Sequence, residues 1–129
     1  MSDPSPLVAP RRGLLRRLAD RVTSTSADID AKELHADALD LGCTPLHTVV
    51  PGAHTNISGT IRALTLRPVG GVPALEAELF DGTGVLLLVW LGRRRIRGID
   101  PGRDLTVHGR VTLQSGRLVM FNPAYELRA

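Results

Sequence analysis

Arg93, Arg94, Arg95 and Arg97 form the densest run of positive charge in the chain. Guanidinium groups at this spacing suit one kind of chemistry, the pairing of fixed positive charge with phosphate or carboxylate oxygens. Arg62 and Arg110 fall on the polar parity of two alternating segments, so each can add charge to an outward face. Flat side chains are scarce: Phe80, Trp90, Phe121 and Tyr125 are the only aromatics in 129 residues. That shortage limits any surface on which planar ligands could stack. Nucleophilic and metal chemistry find no constellation. Cys43 is the single cysteine, which excludes an internal disulfide and a cysteine-based metal cluster. His35, His47, His54 and His108 share no metal-ligand spacing. Glu76 and Glu78 lie two apart, on one face of a strand, where they suit a solubilising surface and repel phosphate. Asp81-Gly82-Thr83-Gly84 lacks the Gly-Lys-Ser/Thr ending of a phosphate loop and is explained by a hairpin. No catalytic activity, cofactor or metal is expected.

Composition sets the frame for these residues. Sixteen basic residues face 13 acidic ones, for a formal net charge of +3, and Lys32 is the only lysine. An excess of Arg, Ala, Gly, Val and Pro over Lys, Asn and Ile is what GC-rich coding produces, so only the placement of arginine carries information. Placement is uneven: residues 1–22 carry +3, residues 23–56 carry −4 and residues 57–129 carry +4. Hydrophobic residues at 43% and charged residues at 22% describe an ordinary globular chain. No stretch approaches the ~20 apolar residues of a membrane span. The arginines at 11, 12, 16 and 17 are not followed by an apolar segment, so no secretory signal is expected and the expected location is cytoplasmic.

The elements that position these residues follow from periodicity. Residues 1–12 read as a disordered tail, residues 13–45 as N-terminal helices and residues 46–129 as a β-barrel domain. Leu14, Leu15, Leu18 and Val22 recur at helical spacing in a short basic helix over Gly13–Val22. A second helix over Ile29–Leu41 places Leu34, Ala38 and Leu41 on one face, with acids in its first turn and Gly42 at its end. From Leu46 the period becomes alternating. Strands are expected over 57–67, with a bend at Gly59, and over 74–80, 85–91, 103–114 and 117–121. Residues 67–73 form a turn region between the first two strands. Asp81-Gly82-Thr83-Gly84 and Ser115-Gly116 are hairpin turns, and Gly92–Gly102 is a basic connector. In the strand at 103–114, Leu105, Val107, Val111 and Leu113 share one parity.

The hairpin turn favours one register. Pairing Phe80 with Val85 sets Leu79 opposite Leu86, Ala77 opposite Leu88 and Leu75 opposite Trp90. Cross-strand partners share a face, so in this register Trp90 points into the core, whereas a one-residue slip would turn it outward. Phe80, on the other parity, becomes the exposed stacking platform. Tyr125 packs the end of the barrel with its hydroxyl wet.

Five short strands, tight turns after the second and fourth, and a longer connector after the third fit a small Greek-key barrel better than a sandwich. The run Glu76-Ala77-Glu78-Leu79-Phe80-Asp81-Gly82-Thr83-Gly84, the strand Val85–Trp90, Gly109-Arg110-Val111, Gly116-Arg117-Leu118-Val119 and Asn122-Pro123-Ala124-Tyr125-Glu126-Leu127 together resemble the OB-fold of the anticodon-binding type. Gly109-Arg110-Val111 and Pro123-Ala124-Tyr125-Glu126 are similar to the wedge domain of bacterial branched-DNA helicases. As a whole the chain resembles the stand-alone OB-fold nucleic-acid-binding proteins of actinobacteria, over residues 46–129. The resemblance implies a mainly β fold: a five-stranded Greek-key OB-fold barrel preceded by one or two N-terminal α-helices. It also implies a nucleic-acid partner, with single-stranded or branched DNA favoured. The site residues expected on these grounds are Arg62, Phe80, Arg93, Arg94, Arg95, Arg97 and Arg110. A protein-interaction module, docking through the barrel or the basic helix, is the alternative.

Overall fold

The computed structural model describes residues 23–128. The expected tail over 1–12 and the basic helix over Gly13–Val22 lie outside the described residues. One helix and seven strands occupy the rest: α1 (Thr23–Asp40), β1 (His54–Val69), β2 (Val72–Phe80), β3 (Val85–Leu91), β4 (Asp104–Arg110), β5 (Thr112–Gln114), β6 (Arg117–Phe121) and β7 (Ala124–Leu127). The strands form one sheet in the order β5-β6-β3-β2-β1-β4-β7. β4 and β5 are separated only by Val111, yet β4 pairs with β1 and β5 pairs with β6. The two ends of the sheet are thus nearly adjacent in the chain, and the sheet curls into a barrel-like form. The fold is mainly β, as expected, but hydrogen bonding divides the chain into seven strands rather than five. The expected strand over 103–114 breaks at Val111, whose N–H donates to Ala53 and whose carbonyl accepts from Gly52. Beyond that break the alternation fails: Val111 is buried, but Leu113 is 57% exposed. β7 was not anticipated, and it pairs antiparallel with β4.

Inward-facing apolar positions build the core. Ile57, Leu79, Leu86, Leu88, Leu105, Val107 and Met120 are fully buried. The β2–β3 register is the one the hairpin turn dictates, with Leu75 opposite Trp90 and Phe80 opposite Val85. Trp90 is therefore inside. Its indole N–H donates to the Pro123 carbonyl at 3.1 Å, and the Tyr125 ring meets it edge-on at 5.8 Å. The expected bend at Gly59 falls slightly later, as a shift of the β1–β2 register between Ile61 and Ala63.

The expected turn over 67–73 is only two residues long. Gly70 and Gly71 have φ of 60° and 83°, the left-handed pair that a tight hairpin needs, and Val69 pairs directly with Val72. Pro68 and Pro73 face each other across the resulting arm. There β1 has already parted from β4 and β2 has not yet reached β3. Pro68 has a free strand edge beside it and Pro73 offers only its carbonyl, which accepts from Gly92 N–H, so neither missing N–H costs a ladder hydrogen bond.

Helix α1 begins six residues before its expected start, so its acids lie beyond the first turn. It ends as expected: Gly42 N–H donates to Leu39 and Cys43 N–H to Ala38, at 3.0 and 2.9 Å. Ala38 is buried, whereas Leu41 is exposed rather than on the packed face. The helix docks on the β2–β3 turn. Gly82, at φ 93°, comes so close to the Ala31 carbonyl that a Cβ there would lie 2.0 Å from its oxygen. Asp81 ties the same corner together. Its buried carboxylate accepts hydrogen bonds from the N–H groups of Leu46, Thr83 and Gly84 and from the Thr83 hydroxyl, at 2.7 to 3.0 Å.

Candidate nucleic-acid interface

The basic connector is held in shape by its apolar residues. Ile96 and Ile99 are buried in the barrel core. Hydrogen bonds pin both ends: Gly92 N–H to the Pro73 carbonyl at 2.7 Å, and Gly102 N–H to the Ile61 carbonyl at 2.8 Å. With the isoleucines turned in, Arg93, Arg94, Arg95 and Arg97 are all exposed. Among the described residues no ion pair engages any of the four. Three of them border different clefts. Arg94 lines a groove of about 340 Å³ with Arg67, Leu66, Pro68, Val72 and Pro73 of the β1–β2 arm. Arg95 and Arg97 line a separate cleft of about 390 Å³ that also contains Asp100.

The outward face of β2 and β3 carries a different arrangement. Ala74, Val89 and Val119 form a small apolar cluster there, with Val69 and Leu87 packed against it. Leu91 and Phe121 continue it and are each 38% exposed. Glu76 and Glu78 stand on the same face, and both are paired. Arg67 Nε donates to Glu76 at 2.8 Å, while Arg62 and Arg117 approach the two oxygens of Glu78 at 3.5 and 3.8 Å. Three arginines against two glutamates leave a net positive charge, so the face is not the phosphate-repelling surface the isolated glutamates imply. The Arg62 guanidinium also lies over the Phe80 ring, 5.2 Å from its centre. One face of the expected stacking platform is therefore occupied, and Phe80 is half-buried.

Arg110 lies elsewhere. It pairs with His54 at the start of β1, while Arg62 follows eight residues later. At ~3.3 Å per residue the two are roughly 26 Å apart along the strand. Arg110 donates to the Gly52 carbonyl at 2.6 Å and contacts His54 Nε2 at 3.2 Å. The structure thus brings Arg94 together with Arg67, brings Arg62 together with Phe80, and separates both groups from Arg110. Sequence reasoning passed over Arg67 and Arg117. The signal for Arg67 is positional, since it lies three residues before the Gly70-Gly71 turn and diagonally across from Glu76; Arg117 follows the Ser115-Gly116 turn and reaches Glu78 across β3, which the sequence does not reveal.

Several of the histidines are held in local contacts. His108 Nδ1 and Asn56 Oδ1 are 2.7 Å apart, and the His35 and His47 rings meet edge-to-face at 5.6 Å. Among the described residues no group of three or more His, Cys, Asp or Glu could hold a metal ion. Burial pushes the Cys43 thiol above its usual range, with the Arg128 charge acting in the opposite direction. No helix among the described residues is long and apolar enough to cross a membrane.

No protein-family model matches the sequence, and no curated protein matches it. The fold is similar to part of a solved structure of RecG bound to a three-way DNA junction, with a TM-score of 0.54 and 20% identity. The similarity covers 61% of this chain and 12% of that one. At this identity the likeness is one of fold.

Proposed function

We propose that this chain is a non-catalytic, cytoplasmic nucleic-acid-binding protein built on an OB-fold. In this reading β4 and β5 count as one bent strand, the barrel is a five-stranded Greek key and β7 is an appendage to it. The observation that carries the functional reading is the groove between connector and arm, where Arg94 meets Arg67 beside the exposed Leu66 and Val72. Cationic side chains along a groove with apolar walls are what a single strand requires, phosphates on the charge and bases against the walls. The fold it shares with part of the DNA-bound RecG structure supports the same reading. Single-stranded or branched DNA is the favoured ligand, bound with low sequence specificity. With Trp90 inside and Phe80 covered, charge dominates over stacking, so affinity is weak and falls steeply with salt.

Titration of labelled single-stranded, duplex and forked DNA at two salt concentrations tests this. Salt-dependent binding, stronger for single-stranded or forked DNA than for duplex, is expected. No such binding up to ~100 μM protein would refute the reading, since even non-specific complexes form in this range. One observation favours a second reading, a protein-docking surface: Leu66, Val72, Leu91 and Phe121 are exposed apolar residues on or beside the arm and face. That reading expects a specific protein partner and no response to DNA.

A further inference from the structure

The outward face of β2 and β3 holds its arginines in an unusual state. Arg62, Arg67 and Arg117 are each at least half exposed at the side chain, yet each is engaged by a glutamate of β2. Glu76 is the most committed of these carboxylates, with a side chain only 11% exposed and a 2.8 Å hydrogen bond from Arg67. Glu78 is shared, one oxygen towards Arg62 and the other towards Arg117. The connector arginines carry no such partners among the described residues.

Resting on the nucleic-acid reading, we propose that Glu76 and Glu78 are built-in counter-anions. They occupy the guanidiniums of Arg62, Arg67 and Arg117 in the free protein, and strand binding exchanges them for phosphates. A guanidinium fork accepts a carboxylate and a phosphate in the same geometry. Arg67 is the link between the two regions, because it pairs with Glu76 and also lines the groove with Arg94. The connector arginines, without ion-pair partners among the described residues, make first contact, and extension of the strand onto the sheet requires displacement of the glutamates. The carboxylates therefore act as specificity residues that hold affinity down and restrict the face to strands already captured by the connector.

The exchange has a signature that bulk charge does not give. An arginine held by a glutamate engages no phosphate until the glutamate is displaced, so it releases few of the counterions condensed on the strand and adds little to the salt dependence of binding. Removing the glutamate restores that contribution, about 0.7 in the slope of log affinity against log salt for each phosphate contact on a single strand. The experiment compares the wild type with E76Q/E78Q, binding a labelled oligothymidylate across a salt series. E126Q serves as a charge control, because Glu126 lies on β7, is 76% exposed and is 4.0 Å from His108, away from this face. The double variant should bind roughly three- to tenfold more tightly at low salt, from the loss of exposed pairs of ordinary strength, and with a steeper slope. E126Q should do neither at comparable size. E126Q removes one charge where the double variant removes two, so tightening by E126Q of half the double variant's effect in log affinity would reduce the effect to net charge and overturn the proposal. Unchanged or weaker binding by E76Q/E78Q would overturn it too, and would make the glutamates positioning residues for the arginines. Failure of the wild type to bind would remove the nucleic-acid reading itself, and the exchange with it.

Discussion

Asp81 shows how much a single residue fixes. Its carboxylate is fully buried, orders the β2–β3 turn through Thr83 and Gly84, and reaches 35 residues back to the Leu46 backbone. Asp81→Ala leaves four donors without their acceptor, and unfolding in urea should show a loss of about 3 kcal/mol, the scale of removing charged hydrogen bonds in a buried site. Cys43 makes a second residue-scale prediction. Burial raises its thiol pKa in the folded state, so the neutral thiol stabilises the fold at pH values below the ordinary thiol range. That contribution is lost as pH rises through the folded pKa, because only the unfolded thiol ionises readily. Stability measured between about pH 7 and pH 10 should fall more steeply for the wild type than for Cys43→Ala. Individual side-chain partners were the least legible features in the sequence. Arg67 and Glu76 are nine residues apart, and their pairing depends on a hairpin whose turn is only Gly70-Gly71. The cluster of Pro68, Gly70, Gly71 and Pro73 reads locally as a long loop.

At the scale of elements, the hairpin at 81–84 was the most readable part of the chain. A four-residue turn with acid and glycines in place sets the β2–β3 register, and the register sends Trp90 inward. β7 was the least readable. Ala124–Leu127 is exposed throughout and has no alternating apolar signal; it is a strand because β4 offers an edge, a long-range fact. The β4–β5 break was hidden for the same reason, since Ala53 and Gly52 from a distant segment take up the Val111 backbone. Two element-scale predictions follow from contacts the structure adds. Gly82→Ala would strain a left-handed residue and strike the Ala31 carbonyl, so roughly 1–3 kcal/mol should be lost from backbone strain alone. Hydrogen exchange across α1 should rise. Ile99→Ala removes the anchor that holds the connector to the core. It should cost about 2–4 kcal/mol in thermal or urea unfolding, and weaken DNA binding although no charge has changed.

For the molecule as a whole, the sequence indicated a mainly β barrel after one or two N-terminal helices; the curled sheet and α1 agree with the mainly β outline, and the first helix lies outside the described residues. What it could not show is that the expected site is dispersed. Arg94 lines one groove and Arg95 with Arg97 another, Arg62 is engaged with Phe80 and Glu78, and Arg110 is tied to Gly52 at the far end of β1. Curling the sheet separates residues that share a parity in sequence and joins others that do not. The basic charge of residues 57–129 is thereby concentrated on the connector and the outer face of β2 and β3. The most direct test of this account is the salt dependence of forked-DNA binding by the wild type and by R93A/R94A/R95A, with R110A alongside. If the connector tracks phosphates, the triple variant should bind at least tenfold more weakly and lose up to about 2 units of slope, as three phosphate contacts disappear, while R110A changes little. Unchanged affinity and slope in the triple variant, or a loss confined to R110A, would contradict it.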